Sequence, residues 1–110
     1  MKRATKQRLE RAGWTVGDAQ QFLRLSEDER RFIETKLALA AGVRQRRQQH
    51  EVTQAELARR LGSSQSRIAK MEAADPSVSL DLMVRSLYHL GATREDVARI
   101  IRQAARPTAA

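Results

Sequence analysis

Between Gln65 and Met71 the chain sets hydrogen-bonding side chains around an apolar pair. Gln65, Ser66, Arg67 and Lys70 are polar, while Ile68 and Met71 are apolar. At helical spacing the apolar pair turns inward and the four polar ends form an outward row. A glutamine amide offers a donor beside an acceptor, and a serine hydroxyl offers both. Arginine and lysine add donors with positive charge. That chemistry suits the edges of nucleobases. Without such a partner the same four residues are a solvated helix face.

The elements that hold this row span Val52 to Ala73. Thr53 opens a first short helix as a capping box, with Glu56 placed to reach back to the Thr53 amide. Leu57, Ala58 and Leu61 share one face. Gly62 ends that helix, where positive φ favours glycine. Ser63 or Ser64 caps a second helix. Ala58 is small enough for the two helices to cross closely. Two short helices joined in this way have the layout of a helix-turn-helix.

Composition agrees with a packed helical domain. In 110 residues only 4% are aromatic, so Leu, Ile, Val, Ala and Met must fill the core. The common residues are good helix formers. The net charge of +8 is uneven. Residues 36–70 carry eight basic and two acidic side chains, whereas residues 71–110 carry five of each. A basic face of this kind suits a polyanion. There is no cysteine, hence no disulfide framework or thiol chemistry. No apolar run approaches the roughly 18 residues of a membrane span, and no apolar signal region follows the basic start. The expected compartment is the cytoplasm. His50 and His89 lack companions at metal spacing. No Ser-His-Asp order, phosphate loop or glycine-rich fingerprint is present. An enzyme, a cofactor and a metal site are therefore not expected.

Along the chain, a short helix over Arg8–Ala12 ends at Gly13, a turn holds Trp14 and Val16, and Asp18 caps another short helix. Ser26-x-x-Glu29 opens the longest helix, Glu27 to Gln49. Phe32, Ile33, Lys36, Leu37, Ala40, Ala41 and Val43 give its core spacing. Gly42 marks either close helix packing or a kink. Asp75-Pro76 breaks the pattern after the second motif helix. Ser79 caps a helix from Leu80 to about Leu90, with Leu80, Met83, Val84 and Leu87 inward, and Gly91 ends it. Thr93 caps the last helix, Arg94 to about Ala105, with Val97, Ile100 and Ile101 inward. The expected organisation is all-α. Residues 1–35 form an N-terminal helical extension for dimer or partner contacts, residues 36–105 the DNA-binding domain of four to five helices, and residues 106–110 a tail.

Thr53-Gln54-Ala55-Glu56-Leu57-Ala58, Gly62, Ser64-Gln65-Ser66, Ile68 and Met71-Glu72 resemble the lambda-repressor-like, Cro/Xre-type helix-turn-helix regulators. More of the chain, including Val16-Gly17-Asp18-Ala19 and Asp75-Pro76-Ser77-Val78, is similar to HigA-type antitoxins. These repress their own operon and bind a RelE-like ribonuclease toxin. Solitary and prophage-derived regulators of the same architecture look alike, so a stand-alone regulator without a toxin stays open. The resemblance implies sequence-specific binding of double-stranded DNA by a repressor. It places Gln65, Ser66, Arg67 and Lys70 at base edges, with Arg67 going to a base or a phosphate. Gln54, Ser64, Arg44, Arg47 and Ser77 would contact the DNA backbone. Ser64 acting as a cap alone, and one of the arginines of residues 44–47 facing solvent or pairing with Glu51, are the bland alternatives. One recognition helix makes few base contacts. A homodimer on a palindromic operator, with half-sites about 34 Å apart, is expected. Its surface would come from the last helix or from the N-terminal part with Trp14, Phe22 and Phe32.

Overall fold

A computed structural model describes residues 24–104. The expected helices before residue 24 and the tail after residue 105 lie outside the described residues. Five helices follow in order: α1 (Glu27–Gln49), α2 (Gln54–Leu61), α3 (Gln65–Glu72), α4 (Leu80–His89) and α5 (Arg94–Ala104). The described residues are all-helical. The long α1 is the spine and packs against α3, α4 and α5, while α2 packs on α3 and α4.

Hydroxyl caps set each helix start. Ser26, Thr53, Ser64 and Ser79 all have extended backbone, and each accepts from the amide three residues on. Such a cap satisfies an amide that would otherwise lack a partner in the first turn. Thr93 goes further. It accepts from the Asp96 amide at 3.1 Å, while the Thr93 amide donates to Asp96 Oδ2 at 2.8 Å. This is the reciprocal box expected at Thr53, but there Glu56 turns instead to Arg59 and Arg60. Two flexible cations on the next turn compete for its carboxylate. The stops are equally local. Gly62 and Gly91 have φ of +65° and +88°, a region that strains any side chain with a Cβ.

The core is aliphatic. Val43, Leu57, Ile68, Met71, Met83 and Leu87 are fully buried. Ser86 is buried with them, and its hydroxyl is placed to donate to the Leu82 carbonyl at 2.7 Å, with Met71 Sδ at 3.4 Å. Ala58, the small residue expected at the helix crossing, is buried, and α2 packs on α3. Gly42 marks close packing and not a kink: α1 is continuous, and a Cβ there would meet Ile100 at 3.0 Å. Three expected core positions face outward. Phe32 and Ile101 are exposed, and so is Ala41. Along α1 every buried residue lies between Lys36 and Val43; before them only the Ile33 side of the helix packs on the core, and Phe32 beside it faces out. On α5, Val97 and Ile100 take the inward stripe and turn Ile101 to the side.

Two tests follow from this packing. Gly42→Leu should overpack the α1–α5 contact and lower stability by ~1–3 kcal/mol. A chemical-denaturation midpoint equal to that of the wild type would mean that the two helices are not so close. The second concerns acid. The Thr93 amide and hydroxyl, then Arg99 and Arg46, hold the Asp96 carboxyl below its usual range. A carboxyl lowered in the folded state stabilises fully above the ordinary carboxylate range, and loses that effect as pH falls through the acid range. Asp96→Asn should therefore flatten the acid limb of the stability–pH curve. Parallel curves for the two proteins would remove Asp96 from that role.

Candidate nucleic-acid interface

Arg47 reaches from the end of α1 to Glu72 at the end of α3. Its Nε donates to Glu72 Oε2 at 2.5 Å and its Nη2 to Glu72 Oε1 at 2.9 Å. Its Nη1 donates to the Val52 carbonyl at 2.9 Å. The two side chains are only 12% and 5% exposed, so the pair is shielded from water. The Glu72 carboxylate pushes the Arg47 guanidinium up from its already high range, against the opposing effect of burial.

The network continues outward. Gln54 Nε2 donates to Glu72 Oε1 at 3.1 Å, and Gln65 Nε2 donates to Gln54 Oε1 at 3.0 Å. Four side chains thus tie the end of α1 to the first residues of α2 and α3. Each amide nitrogen carries two hydrogens. Gln54 therefore keeps one N–H for an outside acceptor. Gln65 keeps one N–H and its carbonyl, the donor and acceptor pair that matches adenine N7 and N6. Ser64 accepts from the Arg67 amide at 3.1 Å, and its own hydroxyl proton is left to donate. Capping and phosphate contact are compatible for Ser64.

Around this corner, Gln65, Ser66, Arg67 and Lys70 are exposed above the buried Ile68 and Met71. The outward row inferred from the spacing is present, and Gln54 and Ser64 stand beside it. Arg44 is exposed on α1. Two expected backbone contacts are placed otherwise. Arg47 directs its Nε and both terminal nitrogens toward protein acceptors, because Glu72 at its side is buried and needs a counter-charge. Ser77 is exposed, but its hydroxyl donates to Asp75 Oδ1 at 2.6 Å and its amide to the same oxygen at 2.8 Å. In this turn it has no donor left for a phosphate. The Asp75 carboxyl is held below its usual range chiefly by these Ser77 bonds. Arg46 also turns inward, donating to the Leu90 carbonyl at 3.1 Å, with Asp96 at 3.6 Å. Arg59 and Arg60 pair with Glu56.

Glu72 is the residue that sequence reasoning left without a role. The available signal was an acid at the end of a helix whose other polar ends are basic or neutral. Its partner lies 25 positions back, beyond any periodic pattern.

Removing one partner of a shielded pair leaves the other charge buried. Arg47→Met should lower stability by about 3 kcal/mol, and Arg47→Met with Glu72→Met should recover most of the loss. Equal stability of the single variant and the wild type would show that the pair is open to water.

Residues 38–100 match the family described as helix-turn-helix domain. That stretch covers more than half of the chain and holds both helices of the corner. No curated protein and no solved structure matches the chain. The chain belongs to the helix-turn-helix domain family of DNA-binding regulators.

Proposed function

We propose that the protein is a Cro/Xre-type transcriptional repressor that binds a palindromic operator as a homodimer. The observation that carries this reading is the exposed row Gln65, Ser66, Arg67 and Lys70, braced from below by Gln54, Glu72 and Arg47. A helix laid in the major groove places such a row against base edges. Gln65 and Ser66, at the helix start, read bases. Lys70 reads one turn further on, and Arg67 reaches a base or a phosphate. Gln54 and Ser64 donate to the backbone, and Arg44 adds charge beside the groove. Arg47 acts through the brace. One such helix specifies few base pairs, which is why two copies with half-sites about one helical turn apart are required.

A finer form of the reading makes the protein the antitoxin of a ribonuclease toxin, repressing their shared operon. The exposed Phe32 in the first half of α1 supports a further partner. A toxin-like reading frame beside the gene, and co-purification of its product with this chain, would decide for it.

Selection of bound duplexes from a random pool should yield a two-fold symmetric site. On that site Gln65→Ala should weaken binding by ~1–3 kcal/mol and relax preference at one base pair of each half-site. An asymmetric or featureless selection, or a variant with unchanged preference, would overturn the assignment.

A further inference from the structure

A groove of about 500 Å³ lies between the first half of α1 and the loop that leaves α3. Its lining includes Phe32, Ile33, Ala74 and Pro76, with Asp28 and Glu29 at one end and Lys36. Lys36 is 93% buried, being 7% exposed. Its Nζ stands 5.8 Å from the centre of the Phe32 ring. Among the described residues no carboxylate makes an ion pair with it. Asp75 is near enough to act on it through space, but its Oδ1 is taken by the amide and hydroxyl of Ser77.

We propose that this groove is a binding site for a small carboxylate with an apolar body. The carboxylate pairs with the Lys36 ammonium, and the body lies on Phe32, Ile33, Ala74 and Pro76. A largely buried lysine that makes no direct ion pair, with Asp75 acting on it only through space, gains from a charge-assisted hydrogen bond to an occupant. The walls select an apolar body, and the volume admits a molecule of modest size. Asp28 and Glu29 disfavour a second negative charge at the far end, so the ligand class is a monoacid. Burial also pulls the Lys36 ammonium below the usual lysine range, against the opposing charge of Asp75. Through Ala74 and Pro76 the occupant touches the segment that follows the recognition helix directly.

The test uses the full chain and two matched pairs of probes, benzoate against benzyl alcohol and hexanoate against hexanol. Titrations are followed by the amide resonances of the protein. Both acids should shift Phe32, Ile33, Lys36 and Ala74, and should bind at least about tenfold more tightly than their alcohols. Lys36→Gln should lose that preference, while Arg85→Gln, a change at an exposed site on α4, should keep it. Phe32→Ala should weaken acid and alcohol alike, which keeps the test open if Lys36→Gln does not fold. Equal binding of acid and alcohol would overturn the proposal. So would acid binding retained in Lys36→Gln. Silence of these four resonances, as when residues 1–23 or a second copy fill the groove, would do the same.

Discussion

The shielded ion pair between Arg47 and Glu72 is the constraint on which the helix-turn-helix corner depends. Two charges held this far from water are tolerable only as a pair with their remaining hydrogen bonds made. Here they are: Arg47 also holds the Val52 carbonyl, and Glu72 also accepts from Gln54. Because the partners stand on α1 and α3, satisfying the pair fixes where α3 lies on the spine. Because Gln54 and Gln65 complete the chain, it fixes the side chain that leads the recognition row as well. The pair also neutralises an acid beneath the exposed row of Gln65, Ser66, Arg67 and Lys70.

The rest of the fold supports that corner. Gly42 lets α5 close on α1 through Ile100, and the buried Ala58 lies on α2, which packs on α3. Arg46, on the turn beside Arg47, takes the Leu90 carbonyl and approaches Asp96. Adjacent arginines on α1 thus serve different ends, one holding the recognition helix and the other joining the end of α4 to the start of α5. Positive charge counted along the sequence overstates what is free to meet DNA, since Arg46, Arg47, Arg59 and Arg60 all have carboxylates within the protein.

Much of this was legible in the residues. Helix boundaries followed from local chemistry: hydroxyl caps at Ser26, Thr53, Ser79 and Thr93, and positive-φ stops at Gly62 and Gly91. The exposed row of Gln65, Ser66, Arg67 and Lys70 followed from period and side-chain type. Long-range choices were not legible. Nothing local distinguishes an arginine that meets a phosphate from one that meets Glu72, because the partner is brought near by the fold. Phe32 and Ile101 fit the helical period, but Ile33 takes the inward side next to the former, and Val97 and Ile100 take it next to the latter. Glu56 could have closed its box, and two arginines one turn away drew it off.

The central claim is that the Arg47–Glu72 pair acts on base reading through Gln54 and Gln65. A double-mutant cycle of Glu72→Gln and Gln65→Ala, read as affinity for the selected operator, tests it most directly. The two changes should be non-additive, with a coupling of at least about 0.5 kcal/mol, as expected for residues sharing one hydrogen-bond network. Strict additivity would mean that Gln65 reads DNA independently of the pair beneath it, and would contradict the account.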